Sequence, residues 1–234
     1  MYKLIALTVL LSVQICLSVH PWEQEKEDGY GMGKHTEFVQ YTKDNKSKIK
    51  AVFYGASICE YFGQAGQHIW AKRYEPKGAA NYGIGGDTTP GMLWRFNNHE
   101  LDGLKPKVFV LTSGHAENYL ENNPGTSAAD ILKGQLETIK ELRAKFPEAK
   151  VIQMGHTPYG SHLQEYNETQ KVNEELKKID DGKDVFYFDI TKEMLDDQGK
   201  QIADMFQPDR EHFTEKGYQV WDDAMGELFD KLMK

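Results

Sequence analysis

This sequence is poor in cysteine, in positive charge and in long apolar runs. Its 234 residues include two cysteines, Cys16 and Cys59. Lysine and arginine number 28 against 36 aspartates and glutamates, a formal net charge of −8. An acidic chain repels phosphate backbones, so nucleic-acid binding is disfavoured. One apolar run stands out, LIALTVLLSVQICL, after the short positive start MYK and before Cys16-Leu17-Ser18. It is short for a membrane span, and no cluster of Lys or Arg follows it. Residues 1–18 therefore read as a secretory signal peptide, ahead of the alternative of an anchor helix.

Cleavage after Ser18 would leave 216 residues (234 − 18) and, with Lys3 gone, a net charge of −9. Cys59 would then stand alone, so no intrachain disulfide is available. Stability must come from a hydrophobic core, which a chain of this length can build. A buried free thiol is the plainest reading of Cys59. In a secreted chain the sequons Asn45-Lys46-Ser47 and Asn167-Glu168-Thr169 are candidate glycosylation sites.

What is present is an alternation. Residues 19–47 are polar and read as an extended N-terminal lead-in. From residue 48 to the C-terminus, strands and helices take turns. Strands are predicted at 48–54, 79–84, 108–112, 151–154 and 185–190, the third (VFVLT) apolar throughout, as a strand covered on both faces would be. Helices are predicted at 58–74, 88–97, from Ser127 to Phe146, at 165–179 and from about Thr214. Ser127-Ala128-Ala129-Asp130 resembles a helix-start box. Ile131, Leu132, Leu136, Ile139 and Leu142 then follow at spacings of three and four. The predicted class is α/β, one parallel sheet with helices on both faces.

In such folds ligands bind at the carboxyl ends of the strands. The first such loop is Gly55-Ala56-Ser57. Alone, Ser57 reads best as a helix N-cap. The second, NYGIGGDTT at 81–89, has Gly83, Gly85 and Gly86 for close backbone approach. Thr88 stands where a dinucleotide site needs a third glycine, and no Gly-Lys-Ser/Thr is present, so a nucleotide is not indicated. The third, TSGHAENY at 112–119, is polar. Before the last helix, Asp209 and His212 are three apart, a spacing that sets a carboxylate beside an imidazole. No dense His cluster supports a metal site. Together a serine, a base, an orienting acid and backbone donors at one end of the sheet are the parts of an acyl-transfer site.

Asn81 to Thr89, Leu93-Trp94-Arg95, Leu104-Lys105-Pro106-Lys107-Val108 and Asp209-x-x-His212-Phe213-Thr214 with Gly217-Tyr218 resemble the SGNH (GDSL-type) esterase family over roughly residues 48–232. Within it they are most similar to the catalytic subunits of type I platelet-activating-factor acetylhydrolase. The resemblance implies a three-layer α/β/α, flavodoxin-like fold with a five-stranded parallel sheet. It implies Ser57 as nucleophile, His212 as base, Asp209 as its orienting acid, and the N–H groups of Ser57 and Gly86 as oxyanion donors. It implies no cofactor, a small-molecule ester as substrate with a small, acetyl-like acyl group, and by analogy a homodimer.

Two positions depart from the pattern. Ala56 replaces the Asp of Gly-Asp-Ser. Ala116 replaces the Asn that supplies the third oxyanion donor, and a methyl group cannot donate a hydrogen bond. Losing one such donor typically costs about 10²–10³ in rate. His115 or Asn118 are the candidates to replace it. The expectation is a secreted serine esterase; the alternative is a catalytically impaired or repurposed scaffold that binds an acyl-bearing ligand, transfers the acyl group or runs another, lineage-specific reaction.

Overall fold

The computed structural model describes residues 19–26, 29–112, 125–158 and 163–234. Five parallel strands form one sheet: β1 (Ala51–Gly55), β2 (Ala79–Gly83), β3 (Val108–Leu111), β4 (Lys150–Met154) and β5 (Val185–Phe188). Their order is β2-β1-β3-β4-β5, the flavodoxin-like order 2-1-3-4-5, whose ligands sit where the order reverses.

The sheet is covered on both faces, so alternate residues of each strand enter different cores. Ala51, Phe53, Val108, Val110, Ile152 and Met154 face one side and pack with Trp221, Met225 and Phe229 of the last helix. Val52, Tyr54, Phe109, Leu111 and Val151 face the other and pack with Met92, Phe96, Ile139 and Leu142. The result is the three-layer α/β/α arrangement expected from the alternation. Full burial of a side chain such as Phe229 contributes about 1.5–3 kcal/mol.

The helices are α1 (Gly29–Asn45), the single turns α2 (Ser57–Glu60) and α3 (Gln67–Ile69), α4 (Thr89–Asn97), α5 (Ala128–Lys145), α6 (Leu163–Leu176) and α7 (Glu215–Leu232). Their starts follow local chemistry. Thr88 Oγ1 accepts from the N–H of Gly91 at 3.3 Å, and Thr214 Oγ1 from that of Gly217 at 3.4 Å. Ser127 and Asp130 form the full reciprocal capping box. Among the described residues no helix is long and apolar enough to cross a membrane.

Three expectations change. Residues 19–47 are not all extended: α1 fills most of that segment. Its buried side is polar, which hides it from hydrophobic periodicity. His35 Nδ1 bonds Glu100 at 2.8 Å, and Thr42 Oγ1 bonds the Tyr82 hydroxyl and the Glu100 carbonyl at 2.6 Å each. The continuous helix expected over 58–74 is instead a chain of short turns: α2, a 3₁₀ turn at Tyr61–Gly63, α3 and a π-helical turn at Trp70–Tyr74. Gly63 and Gly66 each weaken a helix by about 1 kcal/mol relative to Ala, and Phe62 and Tyr74 gain full burial from the broken path. Strand β5 ends at Phe188 rather than at residue 190. Asp189 turns the chain there, its Oδ1 accepting from the N–H of Thr191 at 2.7 Å.

Cys59 is free and buried, its Sγ 3.4 Å from Asn81 Oδ1. Burial pushes its thiol pKa well up, so it stays a protonated, unreactive thiol.

Candidate active site

Strand β1 delivers Ser57 to the carboxyl edge of the sheet. Ala56 is the cap residue of α2, with extended backbone (φ −91°, ψ −150°) and no side-chain cap bond. Ser57 is thus the first residue of the helix and not its cap, which corrects the reading it invites in isolation. Its residue is 4% exposed, and its Oγ is buried with no hydrogen-bond partner among the described residues. Its own N–H lies at a helix start, where backbone donors have no partner within the helix.

Strand β2 delivers the glycine loop to the same place. A Cβ on Gly83 would lie 2.2 Å from the backbone nitrogen of Glu60. Only glycine lets the end of β2 come this close to α2. Asn81 reinforces the contact: its Nδ2 donates to the Cys59 carbonyl at 2.7 Å and its Oδ1 accepts from Gly83 N–H at 2.8 Å. Gly86 has φ +79°, and a Cβ there would meet nothing within 4 Å. The turn therefore uses glycine for its backbone, and its outer face is open toward a ligand.

The segment before α7 delivers the imidazole. His212 Nδ1 lies 2.9 Å from Asp209 Oδ2, while Asp209 Oδ1 accepts the N–H groups of Glu211 and His212 at 2.9 and 3.0 Å. Partial burial works against the Asp209 carboxylate, but these three bonds hold its pKa below the usual carboxylate range. Arg210, at φ +61°, takes the left-handed backbone that closes the turn. Phe213, fully buried, and the bridge from Phe206 to Phe213 anchor it. The His212 ring rests against Tyr61, centroids 4.5 Å apart.

Ser57, Gly86 and His212 line one cavity of about 450 Å³. His212 Nε2 lies 3.9 Å from Glu211 Oε1 but, like Ser57 Oγ, is buried without a hydrogen-bond partner among the described residues, so the two atoms are not bonded to each other. Apo sites commonly hold such pairs apart until substrate arrives. Among the described residues no group of three or more His, Cys, Asp or Glu side chains is arranged to hold a metal.

The sequence profile of the GDSL-like Lipase/Acylhydrolase family matches residues 53–220, most of the chain and all of this site except the contribution of α1. The chain belongs to that family. It is 31% identical to platelet-activating factor acetylhydrolase IB subunit alpha2 of Rattus norvegicus, over 92% of this chain and 90% of that one. It is 34% identical to subunit alpha1 of Bos taurus over 66% of this chain, and spans only 62% of that relative's length. Among solved structures, a GDSL-like lipase of Bacteroides thetaiotaomicron superposes with a TM-score of 0.67 at 17% identity, covering 84% of this chain and 98% of that one. At that identity the likeness is one of fold.

In this GDSL-family chain the remaining sequence candidates divide. His115, Ala116 and Asn118 lie outside the described residues. Asn167 is exposed, whereas Asn45 is half-buried in the last turn of α1, where its Nδ2 donates to the Tyr41 carbonyl at 3.0 Å. The cavity also has walls that sequence reasoning did not assign: Tyr30 from α1, Glu60, Tyr61 and Gln64 from the turns after Ser57, and Glu211. Glu60 had a legible signal, three residues after Ser57 on a helix and hence on its face. Tyr30 had none, since α1 was not foreseen.

Proposed function

We propose that this protein is a secreted serine esterase that cleaves carboxylic esters of small acyl groups. The observation that carries the reading is a pair of buried atoms without a hydrogen-bond partner among the described residues, Ser57 Oγ and His212 Nε2, lining one cavity with Asp209 bonded behind the imidazole. Leaving a buried polar atom unpaired costs about 1–3 kcal/mol, a cost that a bound substrate can relieve.

In this reading Ser57 Oγ attacks the ester carbonyl as His212 Nε2 takes its proton. Asp209 fixes the ring tautomer and stabilises the imidazolium. The N–H groups of Ser57 and Gly86 face the oxyanion of the tetrahedral intermediate. As that intermediate collapses, the alcohol leaves with the proton from His212. Water, deprotonated by the same nitrogen, then attacks the acyl-serine and releases the acid. The acetylhydrolase names of the curated relatives support a small acyl group. The N-terminal apolar run and the exposed sequon at Asn167 support secretion and glycosylation.

The test is turnover of p-nitrophenyl acetate against longer-chain esters, with Ser57→Ala as control. Folded protein that releases no p-nitrophenol above background defeats the reading. Secretion is tested by expression in eukaryotic cells and N-terminal sequencing of protein from the medium; cleavage after Ser18 is expected.

Ala116, where the family pattern has asparagine, favours a second reading: a scaffold that binds an acyl-bearing ligand without efficient hydrolysis. A fluorophosphonate probe separates the two. Labelling of Ser57 that His212→Ala removes supports the esterase, and folded protein that stays unlabelled supports the binder.

A further inference from the structure

We propose that Glu60 is a positioning residue that holds the Gly85–Gly86 turn against Ser57, and that Tyr30 of the N-terminal helix completes it. The proposal rests on the esterase reading only for the role of the Gly86 N–H; the positioning itself is a statement about geometry. Glu60 closes the helical turn that Ser57 opens. Its Oε2 accepts the N–H of Gly85 at 2.7 Å, and its Oε1 accepts the Tyr30 hydroxyl at 2.6 Å with Lys34 Nζ 3.4 Å away. The side chain is only 11% exposed.

Both carboxylate oxygens are thus committed, one to each segment. Through the first, the peptide immediately before the Gly86 donor is tied to the helix that carries the nucleophile. A Cβ on Gly85 would sit 3.1 Å from Glu60 Oε2 and 3.9 Å from Ser57 Cβ, so the turn packs directly on both. Through the second, α1 is joined to the cavity. Burial and the bond to Glu60 raise the Tyr30 pKa, which keeps its hydroxyl a donor. The family profile begins at residue 53, so Tyr30 and Lys34 lie outside the matched segment.

Two readouts test this. The first is amide exchange at Gly85 followed by NMR, which needs no turnover. The bond to Glu60 protects this N–H. Glu60→Ala removes both acceptor oxygens, so the Gly85 N–H loses its partner, and exchange at Gly85 should accelerate. The second is steady-state ester hydrolysis at matched thermal stability. Glu60→Ala should lower kcat about 10- to 100-fold, the effect of a misplaced group, with KM changed by less than about twofold.

Tyr30→Phe should act in the same direction and more weakly. Combined with Glu60→Ala it should add nothing, because Tyr30 works through that carboxylate. Unchanged Gly85 exchange in Glu60→Ala overturns the proposal, as do additive effects of the two variants or losses confined to KM. A wild-type protein without turnover defeats the esterase reading alone, and Gly85 exchange then decides this one.

Discussion

Two polar clusters adjoin the glycine turn, and they treat their hydrogen bonds in opposite ways. On one side Arg95, fully buried, donates to Asp87 Oδ2 from Nε and Nη2 at 3.0 and 2.7 Å, to Glu100 from Nη1, and to the Tyr82 carbonyl at 3.3 Å. Glu100 also holds His35, and the guanidinium stacks over the Tyr54 ring at 4.5 Å. Burial alone would lower the Arg95 pKa, but Glu100, Tyr54 and Asp87 raise it, so the charge persists in the core. On the other side Ser57 Oγ and His212 Nε2 are buried with no hydrogen-bond partner among the described residues. The first cluster joins α4, the glycine loop and α1 into one frame. The second is left incomplete where a ligand can enter. Activity and stability should therefore separate between them.

The largest effect should come from the incomplete side. Ser57→Ala should lower ester turnover by at least ~10³-fold, as loss of a nucleophile does, while leaving denaturant stability unchanged or slightly higher. A parallel loss of stability would erase the contrast. Next, Arg95→Leu removes the cation shared by the buried carboxylates of Asp87 and Glu100 and should cost about 3–5 kcal/mol of stability, read from urea unfolding. A loss below about 1 kcal/mol would mean that the ionic frame is not what braces the glycine loop.

A smaller effect is expected at Thr88, which caps α4 just after the turn. Thr88→Ala should cost about 1 kcal/mol, with activity reduced no more than stability predicts. The smallest concerns pH. Asp209 has a depressed folded pKa, so its contribution is present above the unfolded value of about 3.9 and is lost as pH falls through the lower folded value. The stability gap between wild type and Asp209→Asn should therefore narrow below about pH 4. Because the carboxylate is 45% exposed, screening keeps this gap small. A gap constant from pH 7 to pH 3 would show that the bond to His212 contributes through packing alone.

Much of the frame was legible in advance. Continuous apolar runs such as VFVLT mark strands covered on both faces, and α5 shows in its three-and-four spacing and its capping box. Asp209 and His212 were legible as a pair because three residues of turn bring them together whatever the rest of the chain does. The helix α1 was not legible, because its buried side chains are His35 and Thr42, whose partners Glu100 and Tyr82 are remote in sequence. The broken path from Ser57 to Tyr74 was hidden for a related reason: Phe62 and Tyr74 are placed by contact with Phe53 and Trp221, not by their own periodicity.

The sequence by itself determined the alternation of strand and helix, and with it the edge of the sheet where chemistry belongs. The resemblance to the GDSL-type family pointed to Ser57, Gly86, Asp209 and His212 as candidates, each in a short motif. Only the tertiary structure decided that Ser57 begins its helix instead of capping it, since that depends on the backbone at Ala56. The fold alone brought Tyr30, Glu60 and Gly85 together. Those residues lie 25 to 55 positions apart, and no local pattern encodes a contact made when β2 slides glycine-close beside α2.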